Sequence, residues 1–157
     1  MALLSCQFST PLGEMLAVVS PQGLCLLEFV GQGGVARELA QVEAARGGPV
    51  QPGGNAVLAQ AALELAEYFA GQRQCFGVPL DLVGTPFQLS AWQALLAIPY
   101  GQTRSYAEQA RAIARPSATR AVAAANGQNK VSIIVPCHRV IGSDGSLTGF
   151  GGGLPRK

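Results

Sequence analysis

The chain has few charged residues, one histidine and no long apolar run. Only 13% of its 157 residues are charged and 48% are hydrophobic, which argues against disorder and allows a buried core. No run reaches the roughly 18 apolar residues of a membrane-spanning helix, so we expect no membrane partner. The first residues lack the basic and apolar segments of a signal peptide. We therefore predict a cytoplasmic protein, or a nuclear one in a eukaryote.

The cysteines form no recognisable framework. They are Cys6, Cys25, Cys75 and Cys137, and no two of them make a Cys-x-x-Cys pair. Without a secretion signal, structural disulfides are not expected. The simplest expectation for most of them is a small buried hydrophobic side chain.

The net charge of +2 conceals two halves of opposite sign. Residues 1–84 carry three arginines against seven acidic residues, a net charge of −4. Residues 85–157 carry eight basic against two acidic residues, a net charge of +6. This division favours contact between the second half and a polyanion such as nucleic acid. A chance asymmetry on a solvated surface is the alternative, so charge alone favours nucleic acid only modestly.

The first half begins with three short apolar segments separated by turn residues. We predict strands at residues 2–8, 14–20 and 23–30, and their close spacing predicts an antiparallel meander. A short helix is predicted at residues 35–45.

A longer helix is predicted after a break rich in glycine and proline. Residues 47–54 are expected to be a loop, and Asn55 is a suitable N-cap for a helix that runs to about Ala70. Residues 72–84 are expected to be a strand or a linker.

The second half carries strong signals for helix starts. We predict helices at residues 85–98, 105–114 and 118–125, the first beginning with Thr-Pro and the second with a Ser-x-x-Glu capping box. The turn Arg115-Pro116-Ser117 joins the last two, which is the pattern of a helix-turn-helix. A tightly packed core helix is the alternative for the last one, but Arg120 on it favours DNA.

Residues 131–135 are a β-branched apolar run, which predicts a buried strand leading to Cys137. The expected fold class is therefore α+β. A small N-terminal antiparallel sheet with helices, residues 1–80, precedes a mainly helical, winged-helix-like domain with the helix-turn-helix, residues 85–157.

Cys137 is followed by His138, the only histidine of the chain. A thiol reacts as thiolate, so it needs a lowered pKa or an adjacent base. In an extended segment, however, neighbouring side chains point to opposite faces, so direct contact is not guaranteed and a bridging water is plausible. For an isolated Cys-His dipeptide, a buried cysteine beside a surface histidine is the better interpretation. The surrounding sequence reverses that judgement.

Several ordered motifs carry a family resemblance. Pro136-Cys137-His138-Arg139-Val140 resembles the active-site motif of the O6-alkylguanine-DNA alkyltransferases, also called methylated-DNA–protein-cysteine methyltransferases. The similarity covers essentially all of the second half, in the segments Thr85-Pro86-Phe87-Gln88, Ile98-Pro99-Tyr100-Gly101, Ser105-Tyr106, Arg120-Ala121-Val122, Asn126-Gly127-Gln128-Asn129 and Gly149-Phe150-Gly151-Gly152. The first half is similar at lower specificity, in Thr10-Pro11-Leu12-Gly13 and Tyr68-Phe69-Ala70-Gly71.

The resemblance implies catalytic roles for three residues. Cys137 accepts the alkyl group from O6 of guanine, with O4-alkylthymine as a second possible substrate, and each molecule reacts once. His138 acts as the base through a water. Asn129 links the recognition helix to the active-site turn by hydrogen bonds.

It also implies residues that meet DNA and the damaged base. Arg120 enters the base stack as the target nucleotide rotates out, Tyr106 crowds the adjacent phosphate, and Ala121 lies beside Arg120 on the helix that faces DNA. Ser143 is a further implied DNA contact. The implied substrate pocket is lined by Tyr106, Val140, Ser143 and Gly151.

Each implied role has an ordinary structural alternative. Arg120 suits a phosphate contact or a surface charge, Tyr106 a half-buried aromatic, and Asn129 a turn former. Ser143 suits the turn in which it lies. Their joint order around Cys137 favours the functional interpretation.

The sequence departs from the family pattern at several positions. The family's glutamate that orients the active-site histidine has no counterpart up to Lys157, which implies weaker thiolate formation. Ala123 replaces a usual glycine on the helix facing DNA, and Lys130 replaces a common proline. Phe150 replaces a tyrosine, and Pro155 replaces a residue that precedes the family's last helix.

The implied partner is double-stranded DNA carrying O6-alkylguanine, bound by a monomer without cofactor. Some family members hold a structural zinc in the N-terminal domain, but Cys6, Cys25 and Cys75 do not match those positions, so we predict no metal. Two other functions stay open at this point. One is a protein that binds alkylated DNA with weak or no transfer, because the glutamate is missing. The other is a helix-turn-helix regulator with an incidental Cys-His pair.

Overall fold

A computed structural model describes residues 3–31 and 34–141, and the chain divides into two compact units with the boundary between Val83 and Gly84. In the first unit the described elements are β1 (Leu3–Thr10), β2 (Gly13–Val19), β3 (Leu24–Phe29), α1 (Val35–Arg46), β4 (Val50–Pro52) and α2 (Ala56–Phe69). In the second they are α3 (Pro86–Leu96), β5 (Arg104–Ser105), α4 (Tyr106–Ala112), α5 (Thr119–Gly127), a 3-10 helix (Cys137–Arg139) and β6 (Val140–Ile141). The predicted α+β class is confirmed.

The sheet of the first unit has the strand order β3-β2-β1-β4. Strands β1, β2 and β3 form the predicted antiparallel meander. The expectation of a purely antiparallel sheet is wrong, because β4 pairs in parallel with β1, with Leu3 opposite Val50. We expected a loop there because residues 47–54 are rich in glycine and proline, and the structure places in this segment a strand of only three residues that ends in Pro52. Proline is tolerated at such a position because an edge strand leaves some of its N–H groups without a ladder partner.

The core of the first unit lies between the sheet and its helices. Leu16 and Val18 of β2 share a cluster with Leu39 and Val42 of α1. Every residue of β3 is buried. Its sequence is therefore apolar at every position except Glu28 and does not alternate between apolar and polar residues.

Helix α2 begins and packs as its sequence predicts. The Asn55 side chain accepts a hydrogen bond from the Leu58 N–H at 3.1 Å, which satisfies one of the N–H groups left open at a helix start. Leu58, Ala61 and Leu65 recur at helical spacing and are buried, so one face of α2 is the core face.

An ion pair joins α1 to the segment that ends the first unit. Arg46 donates from Nη2 to Asp81 Oδ1 at 2.6 Å and from Nε to Oδ2 at 2.9 Å, and the Ser20 hydroxyl donates to Oδ2 at 2.6 Å. The Arg46 side chain is 27% exposed and that of Asp81 is 15% exposed. The hydrogen bond from Arg46 holds the pKa of the Asp81 carboxyl below its usual range.

Replacing Asp81 by asparagine should therefore destabilise the chain in a pH-dependent way. Because the folded pKa of Asp81 is lowered, its contribution is present above the unfolded value of about 3.9 and is lost as the pH falls through the folded value. We expect Asp81→Asn to lower the free energy of unfolding by about 1–3 kcal/mol near neutral pH. Urea unfolding should show this difference shrinking below about pH 4.

Glu14→Gln is the matched control. Glu14 is exposed and accepts a hydrogen bond from the Ser9 hydroxyl, which a glutamine oxygen can also accept. Its effect should stay within about 0.5 kcal/mol. An equal loss for Asp81→Asn at neutral and acid pH would contradict the assignment to the carboxylate charge.

Within its described residues the second unit contains three α-helices, and the first two begin with a capping box. Thr85 and Gln88 form a capping box at α3, and Ser105 and Glu108 form the predicted one at α4. Residues 113–118 then turn the chain from α4 into α5, with Ala114 in the left-handed region at φ 59°. The predicted helix-turn-helix is confirmed as α4, turn and α5.

The predicted strand over residues 131–135 is wrong, although its burial is correct. All five residues are buried, but they form a turn in which the Val135 N–H donates to the Val131 carbonyl at 3.1 Å. The β-branched side chains raised the strand propensity, and the hydrogen bonds of a neighbouring asparagine override it.

Among residues 3–31 and 34–141, none of the helices has the length and apolar character needed to cross a membrane.

Candidate active site

Cys137 is the first residue of the 3-10 helix that follows the buried turn. It is 8% exposed. Its backbone N–H donates to the Val135 carbonyl at 2.9 Å, and its own carbonyl accepts from the Val140 N–H. The cysteine backbone is therefore held on both sides by main-chain hydrogen bonds, which places the thiol at a defined position.

His138 and Arg139 are half-buried within the same helical turn. The expectation that Cys137 and His138 point to opposite faces of an extended segment is wrong, because a 3-10 helix turns about 120° per residue. Arg139 donates from Nη1 to the Ile98 carbonyl at 2.8 Å and lies 5.8 Å from the ring centroid of Tyr100. The residue after the histidine is thus anchored to the end of α3.

Asn129 closes the turn that leads to Cys137. Its side-chain nitrogen donates to the Val135 carbonyl at 2.8 Å, and its side-chain oxygen accepts from the Val131 N–H at 2.9 Å. Asn129 is 5% exposed, and its own N–H donates to the Asn126 carbonyl at 3.2 Å. The Asn129 side chain therefore connects both ends of the turn, and its backbone N–H connects the turn to the end of α5.

The turn contains a backbone conformation that is unfavourable for its residue. Ile133 has φ 72°, in the left-handed region that β-branched residues rarely adopt. Such a conformation costs on the order of 1–3 kcal/mol and persists only where the surroundings enforce it. The two hydrogen bonds of Asn129 are part of that enforcement.

A short pair of parallel strands brings the start of α4 to the segment after Cys137. Arg104 of β5 pairs with Val140 of β6, and Ser105 pairs with Ile141. Tyr106, the first residue of α4, is half-buried beside this pair, and Val140 is fully buried. Two residues of the implied pocket therefore lie on neighbouring elements.

The start of α4 is fixed by its capping box. The Ser105 hydroxyl accepts from the Glu108 N–H at 3.1 Å, and the Glu108 carboxylate accepts from the Ser105 N–H at 2.8 Å. The hydrogen bond from that backbone N–H lowers the pKa of Glu108. The first turn of α4, with Tyr106 in it, is thereby fixed.

Helix α5 presents an exposed face of small residues and one arginine. Arg120, Ala121 and Ala124 are exposed, and their spacing places them on one side of the helix. Ala123, expected on the DNA-facing side, is half-buried instead. Its extra methyl group therefore lies away from the most exposed part of α5.

Lys130 does not belong to the exposed basic surface. It is 4% exposed, and its Nζ lies 5.3 Å from the ring centroid of Trp92 in α3. The Trp92 indole N–H donates to the Ala125 carbonyl at 2.9 Å, which links α3 to α5. The sequence count of basic residues included Lys130, but a buried ammonium group cannot serve as a surface contact for phosphate.

Gln109 and Asn126 are two polar residues of the site region that the sequence interpretation missed. Both are buried, and their side-chain amides bond to each other between α4 and α5. The signals in the sequence were the position of Gln109, three residues after Tyr106, and the place of Asn126 in one of the motifs that carry the family resemblance. Ser143 and Gly151, predicted at the pocket, lie outside the described residues.

The other cysteines differ from Cys137 in exposure or in setting. Cys6 and Cys75 are exposed. Cys25 is fully buried in β3, and burial raises the pKa of its thiol to about 11. Within the described part of the chain, no three His, Cys, Asp or Glu side chains are grouped as metal ligands would be.

Thiol labelling should separate these cysteines. Because thiolate is the reactive form, iodoacetamide at about pH 8 should modify Cys6 and Cys75 in the folded chain and leave Cys25 intact. Peptide masses before and after unfolding in urea give the comparison, with Cys25 labelled only in the unfolded chain. Labelling of Cys25 as fast as Cys75 in the native chain would contradict its buried, protonated state.

Both halves of the chain match models of one family. The 6-O-methylguanine DNA methyltransferase ribonuclease-like domain matches residues 6–82, and the 6-O-methylguanine DNA methyltransferase DNA binding domain matches residues 86–157.

Individual relatives agree with these models. A methylated-DNA–protein-cysteine methyltransferase of Mycobacterium leprae is 56% identical over 103 residues, which are 66% of this chain and 62% of that protein. One of Mycobacterium bovis is 61% identical over 94 residues, which are 60% of this chain and 57% of that protein. The aligned part thus spans about six-tenths of the length of these curated relatives.

A solved structure is similar over nearly the whole chain. The crystal structure of Mycobacterium tuberculosis OGT in complex with DNA has a TM-score of 0.82 and 42% identity, and the match covers 98% of this chain and 87% of that one. With both halves matched and the fold shared at this identity, the chain belongs to the 6-O-methylguanine DNA methyltransferase family.

Proposed function

We propose that the chain repairs DNA by transferring the alkyl group of O6-alkylguanine to Cys137, once per molecule. The observation that carries this proposal is the setting of Cys137. It lies in a turn closed by Asn129, is followed by the only histidine, and shares a compact unit with a helix-turn-helix. The family to which the chain belongs supports the same assignment.

The proposed reaction is a displacement at the alkyl carbon. The Cys137 thiol loses its proton, with His138 as base through a water, and the sulfur attacks the carbon bound to O6. An S–C bond forms while the C–O bond breaks, and the electron pair of that bond leaves with O6. The proton taken from the thiol passes to the departing nucleobase, which is thereby restored to neutral guanine. This balance needs no cofactor, and the thioether product explains why each molecule acts once.

The target carbon is out of reach inside a duplex, so the nucleotide must rotate out of the stack. We assign Arg120, exposed on α5, to the space that the base leaves, and Ala121 beside it to close contact with DNA. Small side chains there let the helix approach the groove. Unstacking costs a few kcal/mol, which an inserted side chain offsets in part.

The proposed pocket for the rotated base lies beside the β5–β6 pair. Tyr106 borders it and crowds the adjacent phosphate, and Val140 contributes backbone groups. Ser143 and Gly151 are assigned to the same pocket from the resemblance alone. Together with His138 and Asn129, these residues make the proposed site.

The proposed partner is double-stranded DNA bound without sequence preference. The Mycobacterium tuberculosis relative in complex with DNA supports DNA as the partner. The exposed side chains of Arg111, Arg115 and Arg120 in the helix-turn-helix suit contacts with phosphates, which carry no sequence information. We propose a monomer with domains at residues 1–80 and 85–157. It would act in the cytoplasm, or in the nucleus of a eukaryotic cell.

Whole-protein mass spectrometry tests the proposal directly. After incubation with a duplex containing one O6-methylguanine, the chain should gain the mass of one CH2 group, and peptide mapping should place it on Cys137. An undamaged duplex of the same sequence is the control and should leave the mass unchanged. Tight binding of the damaged duplex at unchanged mass would favour a lesion-binding protein. A chain that neither gains mass nor prefers damaged DNA would contradict both functions.

A further inference from the structure

A pair of buried amides joins α3, α4 and α5 of the second unit. Gln109 is 2% exposed and Asn126 is 4% exposed. Gln109 Nε2 donates to Asn126 Oδ1 at 2.9 Å, and Asn126 Nδ2 donates back to Gln109 Oε1 at 2.7 Å. Gln109 Nε2 also donates to the Ala91 carbonyl of α3 at 3.0 Å. Burying two amides is costly unless they are paired, and here each satisfies the other.

The hydrogen bonds continue from this pair to the proposed alkyl acceptor. The Asn126 carbonyl accepts from the Asn129 N–H at 3.2 Å, and Asn129 donates from Nδ2 to the Val135 carbonyl at 2.8 Å. The same carbonyl accepts from the Cys137 N–H at 2.9 Å. A continuous series of hydrogen bonds therefore runs from the middle of α4 to the backbone of Cys137.

The pair also lies next to the two residues assigned to base rotation. Tyr106 precedes Gln109 by three residues on α4, so the two side chains lie on adjacent turns of one helix. Arg120 is near the start of α5, and Asn126 is the last residue but one of the same helix. A rotation of either helix about its axis would move Tyr106 or Arg120 relative to Cys137.

We infer that Gln109 and Asn126 are positioning residues that hold Tyr106 and Arg120 in register with Cys137. This inference rests on the proposed function. Two hydrogen bonds between planar amides fix the relative rotation of α4 and α5, because amides pair well only in a narrow range of orientations. Apolar side chains of similar size fill the same space with less orientational preference, and such cores lose uniqueness before they lose stability.

The test compares two substrates that differ in their need for base rotation. O6-methylguanine within a duplex must be rotated out, whereas free O6-benzylguanine base enters the pocket without rotation and so without Arg120 or the phosphate contact of Tyr106. The variant is the double substitution Gln109→Leu with Asn126→Leu, which leaves no amide buried without its partner. We expect the transfer rate at saturating duplex to fall about tenfold or more, since a displacement of about 1 Å can cost about 100-fold. The rate with the free base should fall much less, because only the pocket border formed by Tyr106 is affected there.

An exchange of the two side chains provides the rescue. Gln109→Asn with Asn126→Gln keeps both amides and their combined length, and it should recover most of the duplex rate. The inference is overturned if both rates of the double-leucine variant fall in parallel or if both stay unchanged. It is also overturned if only the fraction of protein that reacts falls, while the reacting molecules keep their rate. Failure of the proposed function would look different, because the unsubstituted chain would then react with neither substrate.

Discussion

A chain with serine or alanine at position 137 should transfer no alkyl group and should bind duplex DNA as before. Sulfur is required because the reaction needs an anionic nucleophile near neutral pH, and a serine hydroxyl remains protonated there. Cys137 is only 8% exposed, so removing its sulfur changes little of the surface available to DNA. Transfer is followed by the mass of the chain, and binding by the fluorescence anisotropy of a labelled duplex.

Cys75→Ser is the matched control for that result. Cys75 is exposed in the first unit, and the hydrogen bond it receives from Arg73 is to its backbone carbonyl, which serine retains. The control should transfer one alkyl group per molecule at the rate of the unsubstituted chain. Transfer by Cys137→Ser, or loss of transfer in Cys75→Ser, would place the acceptor elsewhere.

The helix starts were the part of the fold most accessible to sequence interpretation. Asn55, Thr85 and Ser105 each accept a hydrogen bond from the N–H three residues later, as a capping residue should. Such bonds involve residues close in sequence, so residue type and spacing are sufficient to predict them. The helix-turn-helix followed from the capped start of α4 and from the turn that leads into α5, although the start of α5 has no side-chain cap.

The features that the sequence did not predict depend on residues distant along the chain or on single side chains. Strand β4 has three residues and exists because β1 offers a free edge, a pairing across more than forty positions. The turn at residues 131–135 is folded by the Asn129 side chain against the strand propensity of its own residues. A local sequence pattern does not show when a hydrogen bond of the folded structure outweighs the intrinsic propensity of the residues.

The sequence predicted which residues make up the candidate site, but it did not predict the buried contacts that hold the surrounding helices together. Cys137 and His138 stood out by residue type, and Asn129 by the family resemblance. Gln109 and Asn126 are 17 positions apart, so no regular spacing in the sequence indicates that they pair. Lys130 has the residue type of a surface charge, and only the structure shows that it is buried against Trp92. Buried polar pairs are set by three-dimensional packing, which is why they emerge only with the structure.

Asn129→Ala should damage both the stability of the chain and its reactivity. The substitution leaves the buried Val131 N–H without the side chain that binds it, at a cost of about 1–3 kcal/mol. The Val135 carbonyl loses one of its two hydrogen bonds and keeps the one from the Cys137 N–H. It also removes part of the enforcement that holds Ile133 at φ 72°. The turn should relax and displace Cys137, lowering the transfer rate by about 100-fold. Urea unfolding and single-turnover kinetics with the O6-methylguanine duplex measure the two effects.

Asn55→Ala separates the loss of rate from the loss of stability. Asn55 caps α2 in the first unit, so its removal should cost about 1 kcal/mol without touching the turn. If stability alone governed the reaction, both asparagine variants would lower only the fraction of reactive protein. If Asn129 positions Cys137, only Asn129→Ala should slow the reaction of the folded molecules. An unchanged rate in folded Asn129→Ala would show that the turn keeps its geometry without this side chain.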